Sequence, residues 1–294
     1  MIGHIRGAVH SSLPHVGSHE SKQALRDIQK RVKNYIDKDI APDSTLGRLD
    51  FEAMPELVSW ANTNYPGLSL HHAASPSALA EKLKELSQRG ENSARFVGNI
   101  EGGRMHFSAF DYKFIDGKHS LIGLEPGNSN SMGPAQMAMQ IDMALQEHLP
   151  DAKFAMLEVN HQSSAFDCGM FSLDYAVKLH KSSMAFEKLH AQNASDTLPG
   201  KNDYNIVPHS EVDRLLPPTF MKHMQSSKRL AEIVKARPEL ETEVINKRGD
   251  TLEQRTQRNT RSDSTVSANP RNESIAHQRS KYLQKAIESI VDIT

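Results

Sequence analysis

The sequence predicts an α/β fold, in the mixed α+β sense, with one catalytic-sized body and helical additions at both ends. Three observations predict it. Helical periodicity runs through the first 90 residues, short branched or aromatic segments then alternate with helical ones up to residue 181, and amphipathic periodicity returns at the C-terminus.

Residues 1–20 hold Gly, Ser, His and Pro without apolar periodicity and read as a flexible segment. From Ser21 to Ile40, Leu25, Ile28, Val32, Tyr35 and Ile36 fall at three- and four-residue steps and predict a helix. Asp50 to Tyr65 repeats the pattern with Phe51, Met54, Leu57, Val58 and Ala61, and Ser77 to Gln88 with Leu79, Leu83 and Leu86, so three helices precede the first expected strand. Arg95 to Ile100 and Met105 to Phe110 read as antiparallel strands joined by the turn Glu101-Gly102-Gly103-Arg104. A third strand, Ser120 to Glu125, stops at Pro126-Gly127-Asn128, and a fourth, Phe154 to Val159, follows the helical stretch Gly133 to Leu149. Cys168 to Lys181 is a helix opened by Asp167-Cys168-Gly169. Beyond it lie a short helical stretch with a Pro/Gly/Asn loop over 182–210 and a helix from Arg229 to Ala236. Residues 249–274, poor in large apolar side chains, read as a disordered or weakly packed loop, and Ser280 to Ile293 as a terminal amphipathic helix docking back on the body.

Composition narrows the function. With 35 Lys+Arg against 36 Asp+Glu the net charge is −1, so no global field draws in nucleic acid or an anionic membrane. The single cysteine excludes an internal disulfide and a thiolate metal cluster. No apolar run approaches the roughly 18 residues a membrane span needs. The start, Met1-Ile2-Gly3-His4-Ile5-Arg6, lacks the apolar stretch of a Sec signal, and its glycine at position 3 is misplaced for myristoylation. His71, His72 and His161 have no metal-ligand spacing around them, so no metal is assigned. Met132, Met137, Met139 and Met143 read as core filling, and Arg255, Arg258 and Arg261, with Glu253 and Asp263 beside them and no aromatics, as a solvated loop.

The chemistry converges on one segment, Asn160 to Leu173. A thiol at a helix N-terminus meets the positive end of the helix dipole, which favours the thiolate a nucleophile needs. Cys168 stands there. His106, expected mid-strand, is a candidate base, and Glu125 at the end of the next strand a candidate carboxylate to orient the imidazole. Taken singly these residues say little. Their order with Gln162, at separations of 19, 37 and 6 residues, says more. The residues alone leave hydrolase and acyltransferase open, because both pass through a tetrahedral oxyanion and a thioester.

That spacing and the Gln-x5-Cys-Gly ending resemble the CE clan of cysteine proteases, the ubiquitin-like-protein protease type. The stretches Gly103 to Lys113, Leu124 to Ala135 and Ser163 to Leu173 narrow the resemblance to the YopJ family of bacterial type III effectors, with similarity from about Arg48 to Arg229 and Leu230. The resemblance implies a CE-protease-like catalytic core at 45–215, with a helical regulatory lobe built from 21–44 and 216–294. It implies that Cys168 takes acetyl from acetyl-CoA as a thioester and passes it, in ping-pong fashion, to Ser, Thr or Lys of host kinases such as MAP kinase kinases. His106 would be the general base, Glu125 its orienter, and Gln162 with the Cys168 N–H the oxyanion donors. It further implies activation by inositol hexakisphosphate and secretion by a type III system with Met1 to about Glu20 as the address; the charge balance, for its part, argues for no nucleic-acid partner. Lys222 and His223 match a Lys-His pair linked in the family to polyphosphate binding, and Lys228 and Arg229 follow closely; Arg279, Lys281 and Lys285 are further candidates. Gln140 stands where a basic residue is expected. The rival readings are a ubiquitin-like-protein protease or deubiquitinase and a non-catalytic kinase-binding module.

Overall fold

The computed structural model describes residues 16–38, 40, 43–100, 106–128, 131–261 and 271–291. The expected flexible start up to residue 15 and the turn at 101–104 lie outside them.

The first helices begin where side chains satisfy free backbone N–H groups. Helix α1 (His19–Asp37) is capped by Ser18, whose hydroxyl accepts from Ser21 N, and α2 (Ser44–Asn64) by Asp43, which accepts from Thr45 N and Leu46 N. A four-residue strand, β1 (Leu70–Ala73), then precedes α3 (Pro76–Gln88), so among the described residues two helices, not three, come before the first strand. The periodicity missed β1 because it is short and is pinned by a side chain. Asn62 donates to Leu70 O and accepts from Leu70 N, both at 2.8 Å.

The sheet follows as β2 (Ser93–Asn99), β3 (Phe107–Ile115) and β4 (Lys118–Glu125), then α4 (Met132–His148), β5 (Lys153–Glu158), α5 (Cys168–Lys181), α6 (Ser183–Ala194) and β6 (Ile206–Val207). Its order is β1-β2-β3-β4-β5-β6, with antiparallel pairing of β2 to β3 and β3 to β4 and parallel pairing elsewhere. Alternation along each strand sorts the core into two faces. Phe107, Ala109, Ile122, Leu124 and Leu157 pack with α2, α5 and α6 on one side, where α1 and α10 join the same cluster. Phe96, Phe110, Tyr112, Leu121 and Met156 pack under α3 and α4 on the other. Each large side chain so buried contributes about 1.5–3 kcal/mol.

The C-terminal part comprises α7 (His209–Leu215), a 3-10 turn (Pro218–His223), α8 (Ser227–Ala236), a second 3-10 turn (Pro238–Glu241), α9 (Leu252–Asn259), the short pair β7 (Thr260–Arg261) and β8 (Arg271–Asn272), and α10 (Ser274–Ser289). Met221, Met224, Leu230, Ile233, Leu240, Ile245 and Leu252 give it a small core of its own.

Two expectations are corrected here. The segment 249–274, expected to be loose, contains α9, opened by a capping box between Thr251 and Gln254 and tied down by the Arg258–Asp250 ion pair; residues 262–270 lie outside the described set. Apart from Leu252 its anchors are polar, so hydrophobic periodicity could not reveal it. Among the α4 methionines only Met137 is core, whereas Met132, Met139 and Met143 are 68%, 57% and 61% exposed. They lie on the outer face of a helix whose inner face, Met137, Ala138, Ile141 and Leu145, already fills the space against the sheet. No described helix is long and apolar enough to cross a membrane, and the described residues contain no group of three or more His, Cys, Asp or Glu able to hold a metal ion.

Candidate active site

The carboxyl ends of the parallel strands β4 and β5 lie side by side, with Glu125 opposite Glu158, and the chain leaving β5 is stitched to the chain leaving β4. Val159 N donates to Glu125 O at 2.8 Å, and His161 N and Gln162 N both donate to Pro126 O, at 3.0 and 2.9 Å. Asn160 makes this turn possible by adopting a left-handed conformation, φ 53°, which asparagine tolerates better than most residues. The loop then runs through Asp167 into α5, placing Cys168 as the first residue of that helix.

Glu125 is 1% exposed and takes three donors. His106 Nε2–H donates to Oε2 at 2.7 Å, Ser108 Oγ donates to the same oxygen at 2.6 Å, and Gly127 N donates to Oε1 at 2.7 Å. His106 sits immediately before β3 rather than within it, its own N–H held by Asn99 Oδ1 at 3.2 Å. With Nε2 committed to Glu125, the other ring nitrogen is the one left for the Cys168 thiol. Burial would by itself lower the imidazole pKa. The Glu125 charge and the hydrogen bonds to Cys168 and Glu125 outweigh it and hold His106 well above its ordinary value. Gly133, in the first turn of α4, lies against the ring: a Cβ there would sit 3.3 Å from His106 Cγ.

The fold brings His106, Glu125 and Cys168 into one row. A thiol bonded to an imidazole that is oriented by a buried carboxylate is the arrangement that nucleophilic acyl transfer requires. Gln162 lies on the loop between β5 and Cys168, and its Nε2 donates to Ser164 O at 2.5 Å, leaving a second N–H on that nitrogen. Ser108, Gly127 and Gly133 support the row without having signalled themselves; a hydroxyl two residues after the histidine was the one available hint.

A second feature lies behind α5. A cavity of about 610 Å³ is walled by Lys178 and Lys181 of α5, Lys222, Arg255 of α9, and Lys281 and Lys285 of α10, with Asp174 as its carboxylate. Lys178 pairs with Asp174. Burial lowers the Lys222 pKa, and the charges of Lys178 and Arg255 lower it further, the signature of crowded like charges. Of the residues expected to bind a polyanion, Lys222, Lys281 and Lys285 line this cavity. His223 lies in its wall but is buried and bonded to Ser274 Oγ, and burial depresses its pKa to about 3, so it brings no charge. Three others are elsewhere. Arg229 is buried against Asp213 because the apolar face of α8 turns it inward, which points Lys228 outward into solvent. Arg279 is wholly buried between Asp50 and Asp167. Gln140 belongs to α4, across the sheet from α5, and has no part in the cavity. Lys178 and Lys181 were missed, since nothing in their spacing links them; Arg255, expected on a solvated loop, stands instead on α9 and bonds Lys222 O at the cavity wall.

A family model for YopJ serine/threonine acetyltransferases matches residues 22–285. The chain belongs to the YopJ acetyltransferase family. The serine/threonine-protein acetyltransferase YopJ of Yersinia pestis is 39% identical over 228 residues, covering 76% of this chain and 78% of that protein. A serine/threonine-protein acetyltransferase of Sinorhizobium fredii is 26% identical over 196 residues, 66% of this chain and 74% of that protein. Among solved structures, AvrA delL154 with IP6 and CoA superimposes with a TM-score of 0.82 at 34% identity, covering 90% of this chain and 98% of that one. HopZ1a in complex with IP6 shares the fold, with a TM-score of 0.74 at 19% identity over 92% of this chain and 97% of that one. The YopJ-family resemblance read from the three sequence stretches is therefore borne out, as is the mixed α/β class.

Proposed function

We propose that this chain is an inositol-hexakisphosphate-activated acetyltransferase that moves acetyl from acetyl-CoA, through a thioester on Cys168, to Ser, Thr or Lys side chains of host kinases such as MAP kinase kinases. The observation that carries the reading is the Glu125–His106–Cys168 row at the start of α5, in a chain of this family.

The residues act in sequence as follows. The Cys168 thiolate, paired with the His106 imidazolium, attacks the acetyl carbonyl; the tetrahedral oxyanion takes hydrogen bonds from the Cys168 N–H at the positive end of α5 and from the free N–H of Gln162 Nε2. The CoA thiolate leaves with the proton of His106. The neutral imidazole then removes the proton of the acceptor hydroxyl or amine, which attacks the thioester, and the Cys168 thiolate leaves. Glu125 holds Nε2–H throughout, so the nitrogen facing the thiol is the one that exchanges protons.

The cation-lined cavity supports the activator. Six basic side chains converge on it, and AvrA, 34% identical, was crystallised with IP6 and CoA. Lys178, Lys181, Lys222, Arg255, Lys281 and Lys285 would take the phosphates, Arg255 as a planar fork and the lysines as point charges. Residues 1–20, without apolar periodicity, fit the secretion address of a type III effector acting in the host cell. The regulatory lobe is proposed as 21–44 with 216–294, and the catalytic domain as 45–215; α1 and α10 pack on one another, which suits a lobe drawn from both ends of the chain.

The test is peptide mass spectrometry of a MAP kinase kinase incubated with this protein, acetyl-CoA and inositol hexakisphosphate, beside Cys168→Ala. Acetylated target peptides that vanish in the variant and without the polyphosphate are expected. An unmodified target, with cleavage of a ubiquitin-like substrate by the wild type alone, would replace this reading by the protease.

A further inference from the structure

Helix α10 carries an arginine in the middle of its apolar stripe. Ile275, Leu283 and Ala286 face the core, and Arg279, one turn from Ile275 and Leu283, is 0% exposed among them. Its Nε and Nη2 donate to the two carboxylate oxygens of Asp50 on α2, each at 2.8 Å, and Nη2 also donates to Asp167 Oδ1 at 2.7 Å. The other oxygen of Asp167 accepts from Gln225 Nε2 at 2.7 Å and from the Ser164 hydroxyl. Gln225 in turn accepts from Ser163 N and Ser164 N at 2.7 and 2.9 Å, and its own N–H donates to His161 O at 2.9 Å. Two residues of the C-terminal segment therefore grip the loop that carries Gln162 and ends at Cys168.

What this grip prevents is as informative as what it holds. Asp167 is the N-cap of α5, where an aspartate ordinarily folds back to accept from the N–H groups of the first turn. Here it makes no side-chain cap. Its carboxylate is held instead by Arg279 and Gln225, off the Gly169 and Met170 N–H groups it would otherwise cap. A carboxylate turned inward onto the Gly169 and Met170 N–H groups would set a negative charge beside the Cys168 N–H, where an oxyanion must form.

We propose that Arg279 and Gln225 are positioning residues for acyl transfer: by holding the Asp167 carboxylate off the N-terminus of α5 they keep its negative charge away from the oxyanion site and fix Cys168 against His106. This inference rests on the acetyltransferase reading of the same site. Because Gln278, Lys281, Tyr282 and Lys285 of the same helix line the cation cavity, it also gives α10 two working faces, one on the cavity and one on Asp167.

The test uses the full chain with inositol hexakisphosphate present and two mild variants, Gln225→Met and Arg279→Lys. Cys168 is the one cysteine, so alkylation by iodoacetamide followed by intact mass reads that thiol alone. Both variants are expected to slow alkylation about tenfold and to lower kcat for acetyl transfer by about the same factor, with KM for acetyl-CoA within about twofold. Adding Asp167→Asn to Gln225→Met is expected to restore part of the rate, since the amide carries no charge to oppose the oxyanion. Alkylation that is unchanged or faster in both variants would overturn the inference: a merely loosened fold exposes the 4% accessible thiol and speeds its reaction. If the wild type is alkylated rapidly but transfers no acetyl group, the acetyltransferase reading fails, and the alkylation rates of the variants alone decide the positioning role.

Discussion

The reacting row and the cation cavity, on opposite sides of α5's beginning and middle, are built on opposite electrostatic plans. At the row each charge has a partner: Glu125 takes three donors, and His106 lies between it and Cys168. At the cavity, Lys178, Lys181, Lys222, Arg255, Lys281 and Lys285 crowd round a single carboxylate, Asp174; burial lowers the pKa of Lys178, Lys222 and Arg255, and neighbouring positive charges lower it further. A preorganised site stabilises charge that appears during a reaction, whereas a like-charge cluster gains by binding an anion that arrives from outside. The first is complete within the chain, and the second has its natural complement in a polyanion.

The largest expected effects are at the row. Cys168→Ala abolishes acetyl transfer, and Glu125→Gln, which leaves His106 without its carboxylate, lowers kcat by about 10²–10⁴. Steady-state assays with both proteins shown folded by circular dichroism check this; retention of wild-type kcat in Glu125→Gln would break the claim that the row is preorganised. Next comes the cavity. Reversing two of its charges, Lys222→Glu with Lys281→Glu, is expected to weaken inositol hexakisphosphate binding by about 100-fold or more by calorimetry, at about 1.5–3 kcal/mol for each charge-assisted contact, whereas Lys228→Ala, outside the cavity, changes it less than about twofold. Equal effects of the two would erase the boundary drawn here. A smaller effect sharpens the geometry at the row: Gly133→Ala crowds the imidazole and is expected to cost about tenfold in kcat with polyphosphate affinity unchanged.

The smallest concerns the wall between the regions. His223 is held neutral by burial with a pKa of about 3, against about 6.5 in the unfolded chain. The unfolded state binds the extra proton between those values, so this stability is full above about pH 6.5 and falls as the pH drops towards 3. Urea midpoints are expected to show the wild type losing about 2 kcal/mol relative to His223→Gln on going from about pH 7.5 to about pH 5. A difference independent of pH would mean that the imidazole titrates normally.

The same contrast explains how far the molecule was legible in its sequence. Cys168, His106 and Glu125 each sit at the end of a strongly patterned element, so their places followed from local periodicity and from spacing along the chain. The long helices and the central strands were legible for the same reason. The short β1 and β6 and helices α7 and α9 were not, because Asn62, a capping box and ion pairs fix them more than an apolar stripe does. The cavity draws on residues from Trp60 to Lys285, and no window of sequence contains it. Adjacent basic residues misled, since Lys228 and Arg229 stand on different faces of α8. Arg279 misled in the other direction: its helical position was core-facing, and its charge is spent on Asp50 and Asp167.

The most direct measurement of whether the two regions form one enzyme is rapid acid quenching of this protein mixed with acetyl-CoA, with and without inositol hexakisphosphate, followed by mass spectrometry of the Cys168 peptide. An acetyl thioester on Cys168 that accumulates only with the polyphosphate, and is lost in Lys222→Glu/Lys281→Glu, is the predicted result. A thioester formed equally well without the polyphosphate, or target acetylation that persists in Cys168→Ala, would contradict it.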